Sequence, residues 1–292
     1  LWIPAPVVAA DAIPSHRRPL AVGLMGSGIG LGVVFASSVS GSLRNSLGDA
    51  AWSNVYQIQF AFGFVVMIAV FLLVRHQQTA PSGGGGLGGF SALQRMRGWL
   101  PLVLAYACFG FMYLLVLGFL TTRLEDDSGW TSANASWAFS LLGLSMIFGG
   151  PLFTTMAQRL GVRFALIFAF GLWPVFSLIV LTGLALPVFL ACVGIGFLFS
   201  ALPSLITLYV VENTTAGDYG ASFAAATLVF GVAQMISPPI GGWIADAAGS
   251  FTLVFLLSAV TSVIGLLATL RLPKRGERCD AEKGIEKSND IE

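Results

Sequence analysis

Tyr106 and Tyr113 stand seven residues apart with Phe109 between them, so on a helix the three share one face. Phenol groups donate and accept hydrogen bonds, which suits a polar solute; the same spacing also suits plain aromatic packing. Ser200, Pro203, Ser204 and Thr207 form a second polar stretch. Proline lacks an N–H, so Pro203 leaves a carbonyl one turn back without its helical partner. A solute could take that carbonyl, or the Ser204 hydroxyl could cap it. Gln234 is the only amide in the middle of an apolar stretch. An amide in an apolar medium without a partner is costly, so Gln234 must face protein or a cavity. These groups bind by hydrogen bonding and stacking rather than by proton or electron transfer.

Bond-breaking chemistry finds little support. Gly220-Ala-Ser222-Phe has the pattern of an intramembrane serine nucleophile, which needs a histidine base. The only histidines, His16 and His76, both lie in loops outside the apolar stretches. Gly26, Gly28, Gly30 and Gly32, with Asp49 roughly 20 residues on, imitate a dinucleotide loop, but no strand precedes them. Small residues at such spacing let helices approach closely, so these four read as a packing face, with a sliding surface between two halves as the functional version. Cys108, Cys192 and Cys279 lack metal-ligand spacing, and neither a metal nor a cofactor is expected. A net charge of +1 gives no case for nucleic acid.

The elements that must position these groups are eight apolar stretches, at 20–43, 54–74, 99–121, 135–157, 163–182, 184–211, 219–243 and 251–270. None carries a charge in its middle. A helix needs about 20 apolar residues to cross the hydrocarbon core. Backbone groups in lipid must pair internally, so the spans are helices rather than open strands. The composition agrees, with 56% hydrophobic and 10% charged residues. The expected class is an all-α membrane protein, a polytopic bundle of eight transmembrane helices in contact with the lipid bilayer.

Thirteen of the 15 lysines and arginines fall on one side of these spans; only Arg44 and Arg123 fall on the other. Basic residues gather in cytoplasmic loops, so both termini are expected in the cytoplasm, with the plasma (inner) membrane as the setting. Arg123 with Glu125, Asp126 and Asp127 then lies at the outer mouth and reads as a solvated loop, with guidance of an anion as the alternative. The longest gap contains Gly83-Gly84-Gly85-Gly86 and reads as a flexible linker. The expected divisions are 1–75, a linker at 76–98, a six-helix unit at 99–272 and a disordered tail at 273–292. Proton coupling usually needs a titratable group inside the membrane, and no carboxylate lies within these spans.

A repeat organises the spans further. Gly41 to Gly48, Thr154 to Gly161 and Gly242 to Gly249 share one pattern: small, any, apolar, any, amide or acid, any, any, glycine. It recurs every three helices, the mark of a three-helix unit. Triplets then cover 99–182 and 184–270, preceded by an incomplete triplet of which residues 1–14 would be a remnant.

Three-helix units nested in six-helix halves resemble the Major Facilitator Superfamily. Gln158-Arg159-Leu160-Gly161-Val162-Arg163 resembles its short cytoplasmic loop motif, with Gln158 in place of the acid and Val162 in place of an arginine. His16-Arg17-Arg18-Pro19-Leu20-Ala21, followed by Gly26-Ser-Gly28-Ile-Gly30, resembles the family's entry into its fifth helix. Tyr106 to Tyr113 and Ser237 to Asp246 look like the seventh and eleventh helices of the YbfB/YjiJ-type branch; oxalate–formate and monocarboxylate branches share the earlier segment. The resemblance implies helices five to twelve of a secondary transporter that moves a small organic solute, organic anions included, by rocking two bundles about a central site. It implies that 99–121 and 184–211 line the cavity, placing Tyr106, Phe109, Tyr113, Ser200, Ser204 and Thr207 there, with Gln234 as a further contact or gate. It also implies that this chain alone does not transport. A non-transporting membrane sensor or scaffold is the rival class, and the oligomeric state is left open.

Overall fold

A computed structural model of the chain describes residues 18–73 and 88–273. The expectations for residues 1–14, for the glycine run at 83–86 and for the tail beyond 273 lie outside the described residues. The described residues form helices: α1 (Arg18–Leu47), a 3-10 turn (Gly48–Ala51), α2 (Trp52–Leu73), α3 (Gly88–Arg95), α4 (Trp99–Thr122), α5 (Ser132–Leu160), α6 (Val162–Val180), α7 (Ala185–Asn213), α8 (Ala216–Ala248) and α9 (Thr252–Leu270). A single π-helical turn, Arg123–Asp127, extends α4.

Seven of these helices, α2 and α4 to α9, are long and apolar enough to cross a membrane. The expected count of eight is therefore not reached among the described residues. The remaining expected span, 20–43, falls on α1, which is 30 residues long. Six glycines and six serines dilute its apolar content.

The repeated pattern has a backbone cause. Its closing glycines, Gly48, Gly161 and Gly249, adopt φ of 64°, 91° and 62°. A side chain resists these left-handed conformations, so glycine ends the helix there and turns the chain into the next one. Each repeat is thus a helix stop.

α7 is the central helix, buried without interruption from Leu198 to Val210. It packs against α5 and α6, α4 against α8 and α9, and α9 against α6. α1 lies along α5, and the short α3 lies on α8. Hydroxyls stitch these seams. Ser237 Oγ donates to the Phe111 carbonyl at 2.6 Å, Ser258 Oγ to Met112 at 2.9 Å and Ser262 Oγ to Phe170 at 2.8 Å. Bonds of this kind contribute about 0.6 kcal/mol each in a membrane, so they align helices more than they bind them together.

An aromatic site where α4, α7 and α8 meet

Tyr106, Phe109 and Tyr113 do share one face of α4, and that face is buried, with exposures of 1%, 2% and 8%. Rings from two other helices complete the group. Phe230 of α8 stacks on Tyr106 with centroids 4.5 Å apart and lies 6.0 Å from Tyr113. Phe199 of α7 meets Tyr113 edge-on at 5.1 Å. Trp173 of α6 meets Phe109 edge-on at 6.4 Å, and its indole N–H is held by Ser258 Oγ at 3.1 Å. Offset and edge-on pairs of this kind are each worth about 0.5–1.5 kcal/mol beyond burial. The close approach of α8 has a local reason: a Cβ on Gly110 would lie 2.7 Å from the Phe230 carbonyl oxygen.

The polar stretch of α7 lies elsewhere in the packing. Ser200, Ser204 and Thr207 are all buried. Ser200 Oγ accepts the backbone N–H of Gly150 on α5 at 2.6 Å. Ser204 Oγ donates to the Ser200 carbonyl at 2.8 Å, its own preceding turn, rather than to the Phe199 carbonyl that Pro203 leaves. Ser200 and Ser204 thus spend their hydroxyls within the protein. Gln234 is half-buried on α8, one turn beyond Phe230.

The four glycines of α1 divide. A Cβ on Gly30 would lie 2.7 Å from the Gly143 carbonyl oxygen of α5, so glycine is required there. Gly28 and Gly32 meet nothing within 4 Å, and the expectation that they pack against a helix is corrected. The second close contact is made by Gly23, which faces Gly150, Pro151 and Thr154. Contacts one turn pair apart, at 23 and 30, share a face; 28 and 32 point away from it. Gly26 lies within the same helix.

In the loop motif, Gln158 and Arg159 are exposed, while Gly161 supplies the turn. Arg163 donates from Nη2 to the Leu270 carbonyl at 2.6 Å, tying the motif to the end of α9.

Arg123 corrects the reading of a solvated mouth. It is 6% exposed. It donates to Ser128 Oγ at 2.9 Å and to the Leu181 carbonyl at 3.2 Å, and pairs with Asp127 at 3.3 Å. Asp127 in turn accepts the Phe251 N–H and the Ser250 hydroxyl, each at 2.8 Å, at the entry to α9. The acidic run is thus partly a clamp that gathers the ends of α4, α6 and α9. Glu125 reaches across to Arg44 of α1 at 3.6 Å. A groove of about 370 Å³ beside it is lined by Ser40, Arg44, Trp52, Tyr56 and Gln59 among others.

Sequence reasoning missed Phe199, Phe230 and Trp173, which join the site from other helices. Nothing marks the two phenylalanines, since phenylalanine is abundant throughout these spans, and Trp173, followed by Pro174, reads as the mark of a helix kink rather than of this cluster.

A family described as "Uncharacterised MFS-type transporter YbfB" matches residues 3–270. The chain belongs to this family of Major Facilitator Superfamily transporters. It is 24% identical over 281 residues to an uncharacterized MFS-type transporter, YfhI, of Bacillus subtilis strain 168, covering 90% of this chain and 65% of that protein. It is 26% identical over 286 residues to rat solute carrier family 22 member 18, covering 93% and 67%. A segment of 85 residues is 29% identical to mouse monocarboxylate transporter 12, covering 28% of this chain and 18% of that one. The chain thus spans about two thirds of the relatives it matches along its length. Among solved structures it resembles a variant of the E. coli fucose:proton symporter FucP, with a TM-score of 0.65, 17% identity, and coverage of 92% of this chain and 72% of that one. FucP in its outward conformation gives a TM-score of 0.63 at 16% identity. Seven apolar helices and this family membership make the chain an integral membrane protein.

Proposed function

We propose that the protein is a secondary transporter of a small organic solute that works by alternating access, with the rings of α4, α7 and α8 as one wall of its site. The observation that carries this reading is the convergence of Tyr106, Phe109 and Tyr113 with Phe199 and Phe230, midway along helices whose only acidic residues, Glu212, Asp218 and Asp246, lie in their terminal turns. Stacking surface with a few hydroxyls is what a ligand site offers when orientation rather than charge fixes the solute. Family membership supports transport as the use of that wall. Organic anions are included in the solute class because of the segment shared with a monocarboxylate transporter. The excess of basic residues on one side supports cytoplasmic termini in the plasma membrane. The close α1–α5 seam supports a surface on which two bundles rock. Gln234, one turn beyond Phe230, is proposed as a neighbour that tunes the site, while Ser200 and Ser204 hold α7 in place behind it.

The test is uptake by cells expressing the complete natural reading frame, screened against labelled monocarboxylates, sugars and aromatic solutes. Accumulation of one class is expected, with Tyr113→Phe lowering its uptake about tenfold while surface expression holds, on the scale of one lost hydrogen bond. Uptake equal to that of empty cells for every class tested overturns the proposal.

A further inference from the structure

Two buried hydroxyls on α8, Tyr219 Oη and Ser222 Oγ, have no hydrogen-bond partner among the described residues. Tyr219 is 6% exposed and Ser222 is fully buried. Three residues apart on a helix, they are neighbours. Buried hydroxyls nearly always find a partner, so a pair left open marks a place where something else bonds.

Their surroundings indicate what. The Tyr219 ring stacks on Phe223 at 5.7 Å, and Phe223 on Tyr106 at 6.4 Å. Tyr106 stacks on Phe230 at 4.5 Å, and Phe230 on Tyr113 at 6.0 Å. Angles between successive planes run from 8° to 21°, so the five rings form one near-parallel ladder. The open hydroxyls stand at one end of it and the aromatic site at the other. The ladder itself carries no formal charge. Asp218, beside Tyr219, is held by Arg95 of α3 at 2.8 Å. Gly89 of the same α3 presses on the turn that carries the two hydroxyls, where a Cβ would lie 2.9 Å from the Ala221 carbonyl oxygen.

We propose that Tyr219 and Ser222 form a hydrogen-bonding subsite for the polar substituent of an uncharged, ring-bearing organic solute. This rests on the reading of the aromatic cluster as a solute site and narrows its chemistry. Flat rings add to a near-parallel stack, whereas a saturated ring of equal size loses the stacking geometry. Each hydroxyl can both donate and accept, which suits a phenol, an alcohol or an amide. A charged substituent would meet no counter-charge on the ladder and would be disfavoured.

Binding to the full chain in lipid nanodiscs tests this with three probes: 4-methylphenol, toluene and 4-methylcyclohexanol. The phenol is expected to bind about tenfold more tightly than toluene, the scale of one hydrogen bond, and more tightly than the saturated alcohol. Tyr219→Phe combined with Ser222→Ala is expected to bring 4-methylphenol to the level of toluene and to leave toluene unchanged. Phe223→Leu is expected to weaken both aromatic probes alike. Thermal melting of each variant confirms that it is folded. Equal binding of the phenol to the parent and the double variant overturns the subsite, and shows that water alone fills the open bonds. Absence of uptake by cells with this binding pattern intact would instead defeat the transport reading and leave the subsite standing.

Discussion

α1 and α2 are neighbours in the chain, and packing treats them in opposite ways. α1 is rich in glycine and serine and lies against α5 along much of its length. α2 is the more apolar helix, yet it packs little: Phe60 is 76% exposed, Phe71 85% and Leu72 74%. The reason is the solvent. Lipid tails are as apolar as phenylalanine, so a ring gains little by leaving them for another helix. A glycine gains, because it admits a neighbouring backbone to contact distance. Gly23 and Gly30 of α1 seat on the line of Gly143 and Gly150 in α5. Ser27 Oγ donates to the Ile147 carbonyl, and Ser37 Oγ meets Ser140 Oγ at 2.9 Å. In water the order of the two helices would reverse.

The two helices differ most in what they lose at the α1–α5 seam. Gly30→Leu forces a side chain into the Gly143 backbone and is expected to destabilise by about 3 kcal/mol, the upper range for overpacking, as read from unfolding in mixed detergent micelles. A shift below about 0.5 kcal/mol would show that α1 can ride off α5 without cost. Next in size are the hydroxyls: Ser27→Ala with Ser37→Ala is expected to cost roughly 1 kcal/mol together, from about 0.6 each. The open side of the same helix behaves oppositely. Gly28→Ala and Gly32→Ala, with nothing nearby to clash, are expected to be neutral or to stabilise by up to about 1 kcal/mol through helix propensity. Phe71→Ala on α2 should fall within about 0.5 kcal/mol of zero; a loss above 2 would mean that α2 has a partner. Smallest is Arg44→Gln. The Arg44–Glu125 pair is 3.6 Å apart with half of the arginine side chain exposed, so its loss should cost at most a few tenths of a kcal/mol and fade with salt.

The segments differ in how much of their role could be read in advance. The Tyr106, Phe109 and Tyr113 face was legible because helical geometry fixes which residues of one helix share a side. Phe199, Phe230 and Trp173 were not, because they arrive from three other helices and resemble dozens of lipid-facing residues. Ser200 and Ser204 looked available for a solute, yet Ser200 accepts a bond from α5 and Ser204 turns back on its own helix. Among the glycines, Gly30 was legible as a packing residue while Gly28 and Gly32 were not distinguishable from it. Spacing shows that small residues cluster, but only the partner helix selects the face. Arg123 illustrates the reverse error: charge beside a loop reads as solvated, whereas Asp127 and Ser128 of its own turn and the Leu181 carbonyl from the end of α6 fold over it.

By itself the sequence determined the membrane class, the helical spans and the repeated stops, because these depend on local properties: the length of an apolar run, the absence of charge, and glycine's access to left-handed backbone at 48, 161 and 249. Tertiary structure alone decided which rings meet, which hydroxyls are spent and which stay open, and which glycines are needed. Helices in lipid are not sorted by apolarity, since every span has it in excess. They are sorted by close backbone approach and by hydrogen bonds between helices, and both of these depend on residues far apart in the chain.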